Sequence, residues 1–471
     1  MRRSYVGPLL LGAALVSCRR EPVASIAAPQ DAAIAGSATD APSSARPVVV
    51  AARCHPTDRA LQLDDGDALD ELEIGDGVAH AGQYAIGLIH RSLAGRVAAV
   101  ARMDEAAAGV RLVDLAPALG DAPPPRLASC RDQLVAAVFV RPSYAPAPVH
   151  AATYVPRDLA LYLVGALGPE PAVIHVPQRS DESLALDLAC SGASGLAVWD
   201  ETAVGLGPET ATQHMAVRGV VRGASFQVGQ RAAVINDLSP PESDAEMPRA
   251  VPNGEGFLVF WLARRPEVSR ASDGSADIEA VGEARTFGWL EAVAIDAAGK
   301  VTGPVRRLTS ISGHVSAFDV LAHVHGPRPE VLVVARDDAE SVEGPGGALV
   351  RVQMRSDGAD SLSTLSTDGL GRGAPAFVEA PLPWLSWVGP NEEVRLLPLD
   401  GEGEIAGPPS AEQALDEARV LFSLGPASES RAGGASAPVR VLVATPRDKA
   451  AQLRVFDCLR GPALPSLKPF D

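Results

Sequence analysis

The chain has 471 residues, a formal net charge of −17, and 46% hydrophobic but only 4% aromatic residues. This acidic excess argues against nucleic acid as a partner, because phosphate binding needs a basic surface. The 44 Gly and 40 Pro recur along the chain, so long helices are not expected over most of it.

The N-terminus carries the pattern of an export signal. Arg2 and Arg3 precede a short apolar run over residues 6–16, and small Ser17 stands directly before Cys18. The run falls short of the roughly 20 residues that span a bilayer. A basic start, a short apolar run and a small-residue cleavage site are typical of a secretory signal.

The tetrapeptide Leu15-Val16-Ser17-Cys18 resembles the lipobox of bacterial lipoproteins. The resemblance implies that residues 1–17 are a signal peptide and that lipidated Cys18 becomes the mature N-terminus, anchored in a membrane by several acyl chains. In the enterobacterial sorting rule, Asp after the cysteine retains a lipoprotein at the inner membrane. Arg19 occupies that position, so we expect the outer membrane, with the face left open. The alternative is an ordinary signal peptide with a chance cysteine.

Residues 18–47 are rich in Ala, Ser, Pro and Asp and have few large apolar side chains. Such a segment cannot bury enough surface to offset the entropy of ordering, so it is predicted to be a disordered tether. Residues 48–460 form the predicted folded domain, and residues 461–471 a C-terminal tail.

Seven strongly apolar runs recur in the body at intervals of about 50 to 75 residues. Continuous apolar runs bounded by turn residues predict strands that are buried on both faces. The runs are residues 84–89, 134–139, 195–199, 257–261, 331–335, 384–388 and 439–444.

A more alternating strand follows each run, and a hairpin pattern ends two of these strands. Residues 295–304 and 399–408 share the order apolar-Asp-x-x-Gly-x-apolar-x-Gly-Pro. Asp bonds back to a turn backbone and Gly supplies positive φ, so each copy predicts a tight hairpin. Residues 354–358 look like a degenerate copy, and Val113-Asp114-Leu115 with Gly120 is a further candidate.

Repeats of this size, each giving about four short strands, resemble β-propeller blades. The resemblance covers residues 75–460 and implies an all-β propeller of seven four-stranded blades, with six or eight as rival counts. It is architectural, because no signature of a particular propeller family is present. Tandem β-sandwich domains are the alternative fold.

The body contains four cysteines, and an even number in an oxidising compartment predicts two disulfides. Propellers often complete the last blade with a strand from the other terminus. The apolar segments 48–54 and 453–458 are suited to that role, which favours a Cys54–Cys458 bond. Cys130 and Cys190 precede equivalent strands of adjacent repeats and form the second predicted pair. None of the spacings fits a zinc site, and no metal or other cofactor is predicted.

Several acidic residues, histidines, tryptophans and prolines could have a functional role, but each also has a purely structural interpretation. The acidic run Asp64–Asp76 offers calcium ligands but matches no EF-hand loop, so we interpret it as a solvated loop. His323 and His325 share one side of a strand and suit a metal, yet no third ligand stands nearby. We expect hydrogen-bonding roles for His175, His214 and His314, and core positions for Trp199, Trp261, Trp384 and Trp387. We expect Pro123–Pro125 and the loop 269–283 to lie at the surface.

The sequence therefore predicts a monomeric, membrane-anchored lipoprotein of the cell envelope that is not an enzyme. Its propeller would bind a protein or other envelope partner, and no catalytic residue is predicted because no catalytic motif is present. The alternative is a propeller-fold hydrolase or lyase acting on extracellular glycans, which needs converging carboxylates.

Overall fold

A computed structural model describes residues 53–61, 73–93, 95–104, 110–120, 122–141, 157–165, 168–171, 176–177, 185–205, 216–230, 233–241, 243–264, 288–323, 330–338, 347–354, 360–366, 370–371, 373–378, 383–391, 394–399, 410–412, 419–426, 439–447 and 450–459. The chain divides into the units Met1–Arg46 and Pro47–Asp471, and every described strand lies in the second. For residues 53–61, 410–412, 419–426, 439–447 and 450–459, the backbone alone is described.

The described residues form 29 β-strands, which fall into seven sheets. Sheet 1 contains β2 (Glu73–His80), β3 (Gln83–Ser92), β4 (Gly95–Asp104) and β5 (Val110–Pro117); sheet 2 contains β6 (Arg126–Cys130), β7 (Gln133–Val140), β8 (Asp158–Gly165), β9 (Gly168–Pro171) and β10 (Val176–Pro177); sheet 3 contains β11 (Leu186–Ser191), β12 (Ser194–Gly205), β13 (Ala216–Gln227) and β14 (Ala233–Asp237). Sheet 4 contains β15 (Asp244–Asn253), β16 (Gly256–Arg264), β17 (Gly288–Ile295) and β18 (Arg306–Arg307); sheet 5 contains β19 (Val315–His323), β20 (Glu330–Asp337), β21 (Ala348–Met354) and β22 (Ser361–Ser366). Sheet 6 contains β23 (Ala376–Val378), β24 (Trp384–Val388), β25 (Val394–Pro398) and β26 (Ser410–Glu412); sheet 7 contains β27 (Arg419–Pro426), β28 (Val439–Arg447), β29 (Ala450–Leu459) and β1 (Arg53–Leu61).

Sheets 1–6 are antiparallel, with their strands side by side in chain order. In sheet 2 the place of the fourth strand is shared, because β9 and β10 both pair with β8. Sheet 7 is different, since its outermost strand is β1 from the other end of the chain.

The first strand of each sheet, here called the inner strand, touches the inner strands of two other sheets. These contacts join β2, β6, β11, β15, β19, β23 and β27 in that order and return to β2. Four-stranded sheets arranged around their first strands form a β-propeller. This confirms the predicted all-β propeller class, and the tandem β-sandwich alternative is wrong.

The two ends of the propeller differ in the connections that they carry. At one end, the turn end, each inner strand finishes and leads into the second strand. At the other, the loop end, the second strand leads into the third.

The seven apolar runs of the sequence are the second strands of the seven sheets, from β3 to β28. A second strand has a partner strand on each side and a neighbouring sheet over each face, so it needs apolar residues at successive positions. The described runs are buried, and fully buried Trp199 packs with Phe139 of sheet 2 in one core cluster. Trp199, Trp261, Trp384 and Trp387 are core residues, as expected.

The predicted hairpin between third and fourth strands is confirmed for its first copy. Asp296 Oδ1 accepts hydrogen bonds from the N–H groups of Ala298 and Lys300, and Gly299 has φ of 84°. Residues 355–359 and 400–408 lie outside the described residues. The candidate at Val113-Asp114-Leu115 is wrong, because these residues lie inside β5, a fourth strand rather than a turn.

Cysteines occur at two joints of the propeller. A disulfide joins Cys130 of β6 to Cys190 of β11, which confirms the predicted bridge between neighbouring blades. In sheet 7, β1 pairs with β29 in a register that places Cys54 opposite Cys458. The side chains of that pair lie outside the described residues, so the Cys54–Cys458 bond stays a prediction.

The proline run before β6 was expected at the surface, and this is wrong. Pro123 and Pro124 are half-buried and Pro125 is buried. A Cβ added to Gly87 of β3 would stand 1.9 Å from the carbonyl oxygen of Pro125. The segment is therefore packed between sheets 1 and 2, and Gly87 is needed for that close approach.

Candidate functional site

Five charged side chains occupy one position of five successive inner strands. Each is the fourth residue before the last residue of its strand. The signs alternate around the propeller. We call this set the inner charged layer, and it consists of Asp76, Arg126, Asp187, Arg249 and Asp319.

Members of the layer in sheets 1 and 2 contact each other and the next sheet. Arg126 of β6 pairs with the carboxylate of Asp76 in β2. The Nε–H of Arg126 also donates to the carbonyl oxygen of Leu186 in β11, with 2.8 Å between the heavy atoms. One guanidinium therefore links three inner strands.

The acids of sheets 3 and 5 accept backbone hydrogen bonds from the following inner strand. Asp187 Oδ2 accepts from the N–H of Ala250 in β15 at 2.8 Å. Asp319 Oδ2 accepts from the N–H of Phe377 in β23 at 2.7 Å. Between them, Arg249 Nε lies 3.9 Å from Asp319 Oδ1.

These contacts follow from the position of the inner strands. An inner strand is paired on one side only, so some of its backbone N–H and C=O groups have no ladder partner. Such groups must find a hydrogen bond when they are shielded from water. The charged side chain of the preceding sheet supplies it, and in doing so joins neighbouring blades near their inner edge.

The acids of the layer also act on one another. Burial raises the pKa of Asp319 from its usual value, and the charge of Asp187 raises it further. The nearby Arg249 and the hydrogen bond from Phe377 lower this pKa, but by less. Active sites that use acid–base chemistry often contain two carboxylates close together, one of them with a raised pKa. The inner charged layer is therefore a candidate for such chemistry.

A second set of contacts lies at the turn end. His80, the last residue of β2, has its Nδ1 2.8 Å from Ser129 Oγ of β6. At the next junction the Cys130–Cys190 disulfide occupies the corresponding place. One sheet further, Ser191 Oγ donates to the carbonyl oxygen of Gly254 at 2.6 Å. The boundary between two neighbouring sheets is here called a seam. The three successive seams between sheets 1 and 4 are therefore bridged at the turn end by three different kinds of contact: a histidine–serine hydrogen bond, a disulfide and a serine–backbone hydrogen bond.

Buried charges also occur inside sheets 3 and 4, away from the inner strands. Glu201 of β12 accepts from Trp199 Nε1 at 2.7 Å and from the Arg222 guanidinium at 3.1 and 3.2 Å. In sheet 4, Glu291 accepts from two indole N–H groups, those of Trp261 and Trp289. These carboxylates hold core tryptophans in place.

The candidate residues singled out from the sequence do not lie together in the described part of the structure. Asp76, from the acidic run, joins the inner charged layer, whereas residues 62–72 lie outside the described residues. Among the histidines, the backbone N–H of His314 donates to Asp337 Oδ1 at 2.9 Å. His175, His214 and His325, the side chain of His323 and the loop 269–283 lie outside the described part.

Sequence reasoning missed the inner charged layer, although a signal was present. Asp76, Arg126, Asp187 and Arg249 each stand eight residues before the start of an apolar run, at residues 84, 134, 195 and 257. The fifth, Asp319, stands twelve before the run at residue 331, because its turn-end connection is longer. Aligning the repeats on their second strands would have revealed the layer.

Within the described residues, no group of three or more His, Cys, Asp or Glu side chains is placed to hold a metal ion. The same residues contain no helix with the length and apolar character to cross a membrane.

No protein-family model and no curated protein matches the chain. Solved structures give distant likenesses. The propeller domain of the Trilobed protease from Pyrococcus furiosus has 10% identity and a TM-score of 0.44, covering 82% of this chain and 93% of that one. An acylaminoacyl peptidase from Pyrococcus horikoshii has 10% identity and a TM-score of 0.45, covering 86% and 54%. A puromycin-hydrolysing peptidase from Mycobacterium tuberculosis has 13% identity and a TM-score of 0.39, covering 87% and 56%. This chain therefore spans about half the length of the two peptidases.

Proposed function

We propose that the protein is an exported lipoprotein, anchored through Cys18, whose propeller binds a protein or other envelope partner and catalyses no reaction. The observation that carries the proposal is the distribution of connections between strands. At the loop end, four successive sheets have long second-to-third connections, at residues 141–157, 206–215, 265–287 and 338–347. Sheets 1, 6 and 7 have short ones there, at residues 93–94, 389–393 and 448–449.

Long second-to-third connections in four successive sheets favour recognition over a purely structural role. Binding residues concentrate on loops that a scaffold holds in place. The turn-end connections of sheets 2–4 have only two residues each, at 131–132, 192–193 and 254–255. The longest first-to-second connection at the turn end, residues 427–438, belongs to sheet 7. The partner surface is therefore proposed to span the loop end of sheets 2–5.

The tether is proposed to join the propeller at the start of β1. Following the antiparallel order of sheet 7, β1 begins at the turn end, with Arg53 opposite Leu459. The proposed tether therefore joins the propeller at the turn end. A tether of residues 18–47 would have a root-mean-square reach of about 30 Å.

We also propose that the seven sheets are seven blades of one closed ring. The cycle of inner-strand contacts and the pairing of β1 with β29 support this count. In such a ring, β1 completes sheet 7 as its fourth strand, so that the first and last described strands pair with each other.

Lipidation is tested with the full-length protein in a bacterial host. We expect a radiolabelled fatty acid to be incorporated into the wild type and not into Cys18→Ser, which should leave the membrane fraction. Cys54→Ser is the matched control, because it removes another cysteine but leaves the signal intact. Equal labelling of wild type and Cys18→Ser would refute the anchor.

Binding is tested by placing a photo-crosslinking amino acid at the two ends of the propeller. We expect adducts of one size from Ala276, in the connection of sheet 4 at the loop end. Gly229, in a turn between third and fourth strands, is the control at the turn end. Adducts of the same size and yield from both positions, or from neither, would contradict a partner surface at the loop end.

A glycan-active enzyme is a second candidate, because the inner charged layer contains two interacting carboxylates. Glycoside hydrolysis uses two such groups, one of them an acid with a raised pKa. Asp319 would have to leave its hydrogen bond with Phe377 in order to act. Release of reducing ends from envelope glycans by the wild type, lost in Asp187→Asn and Asp319→Asn, would favour the enzyme over the binding protein.

A further inference from the structure

The turn-end contact between sheets 1 and 2 differs from its neighbours because it contains a titratable group. His80 Nδ1 meets Ser129 Oγ across the seam at 2.8 Å, and the whole His80 residue is only 8% exposed. The corresponding contact between sheets 2 and 3 is the Cys130–Cys190 disulfide. Neither that disulfide nor the next contact, from Ser191 to a backbone carbonyl, titrates in mild acid.

We propose that this seam is an acid-sensitive latch, which loosens when His80 becomes protonated while the two following seams stay closed. The neutral ring can accept the Ser129 hydroxyl proton at Nδ1. A protonated ring has only donors, so the hydroxyl would have to turn and accept instead. The charge would also enter a site that is largely shielded from water.

The charged groups around the ring come from both sheets. Arg102 lies on β4 of the same sheet as His80, and its positive charge opposes protonation. Asp132, in the turn between β6 and β7, favours protonation because its backbone carbonyl oxygen accepts a hydrogen bond from the ring and because its carboxylate is negatively charged. Desolvation is the largest effect, and the pKa of His80 is lowered from 6.5.

The direction of the pH effect follows from this lowered pKa. The folded protein binds the His80 proton more weakly than the unfolded chain does, so the latch is fully stabilising above about pH 6.5. Its contribution is lost as the pH falls below that value towards the pKa of the folded state. This inference goes beyond the proposed function, since it requires no partner.

The test is hydrogen exchange of the full protein at about pH 5 and pH 7.5, with rates divided by those of the unfolded chain. In the wild type, protection of residues 78–84 and 128–134 should fall in acid, by up to about tenfold for each unit by which the pKa is lowered. His80→Gln keeps a hydrogen-bonding side chain but cannot titrate, so it should show no such fall. His90→Gln, on the neighbouring strand, should behave as the wild type.

Two outcomes would overturn the latch. One is the same acid-induced loss of protection in His80→Gln as in the wild type. The other is a ring titration of wild-type His80, followed by NMR, with its midpoint at or above 6.5. The second measurement also serves if His80→Gln fails to fold.

Discussion

Replacing Asp187 by Ala tests whether the inner charged layer holds neighbouring blades together. The substitution removes the oxygen that accepts from the Ala250 N–H at 2.8 Å. A hydrogen bond to a charged group contributes about 1.5–3 kcal/mol, and an unsatisfied buried N–H is similarly costly. Because Asp187 is only half-buried, we expect a loss of about 1–2 kcal/mol, or roughly tenfold in the unfolding equilibrium.

Asp187→Asn separates the hydrogen bond from the charge. Its amide oxygen can still accept from Ala250, so the stability loss should stay below about 0.5 kcal/mol. Removing the negative charge should also lower the pKa of Asp319, since Asp187 raises it in the wild type. A smaller gain in stability of Asp187→Asn on going from pH 7 to pH 5 would show this.

The assay is urea unfolding followed by fluorescence of the buried tryptophans of sheets 3 and 4, which lie on both sides of this seam. Asp114→Ala is the control, because Asp114 Oδ1 lies 2.9 Å from His90 Nε2 in a hydrogen bond while the Asp114 side chain is 60% exposed. Such a surface pair contributes at most about 1 kcal/mol. If Asp187→Ala were no more destabilising than Asp114→Ala, the inner charged layer would not stabilise the contact between neighbouring sheets.

Three further predictions concern other joints of the propeller. Peptide mapping without reductant should link Cys54 to Cys458, and Cys458→Ser should lower the free energy of unfolding by about 6 kcal/mol in the loop-entropy model; a free thiol at either position would refute the pairing. Gly299→Ala should lower the thermal stability more than Gly229→Ala does. Both glycines have positive φ, but only at Gly299 would an added Cβ collide with another side chain, at 2.4 Å from Ser225 Oγ of sheet 3. Equal losses of stability would show that this turn does not pack on sheet 3. Glu201→Gln should lower the free energy of unfolding by about 1–2 kcal/mol in urea unfolding, because a neutral amide oxygen replaces the carboxylate that accepts from the buried Arg222, which keeps its ion pair with Asp237; a loss below about 0.5 kcal/mol would show that water reaches that site.

The second strands could be predicted from the sequence because their environment is simple. Strand β16 is enclosed by two partner strands and two neighbouring sheets, so residues 257–261 are all apolar and stand out without any alignment. The turn at Asp296 and Gly299 was readable for the same reason, since its geometry depends on local residue chemistry. The disulfide between Cys130 and Cys190 followed once the repeats had been aligned.

The tertiary structure decided which partners the inner charged layer contacts, and it decided the turn-end contacts of His80 and Ser191. The inner strands are interrupted by bulges, between Ile74 and Gly77 in β2 and between Glu246 and Arg249 in β15. The spacing between charged residues also varies with the connections that separate them. Each such residue acts on the backbone or side chain of a different sheet, about 50 to 70 residues along the chain. Local sequence therefore determines which segments become strands and turns, whereas the stacking of sheets around a common axis decides which charges meet.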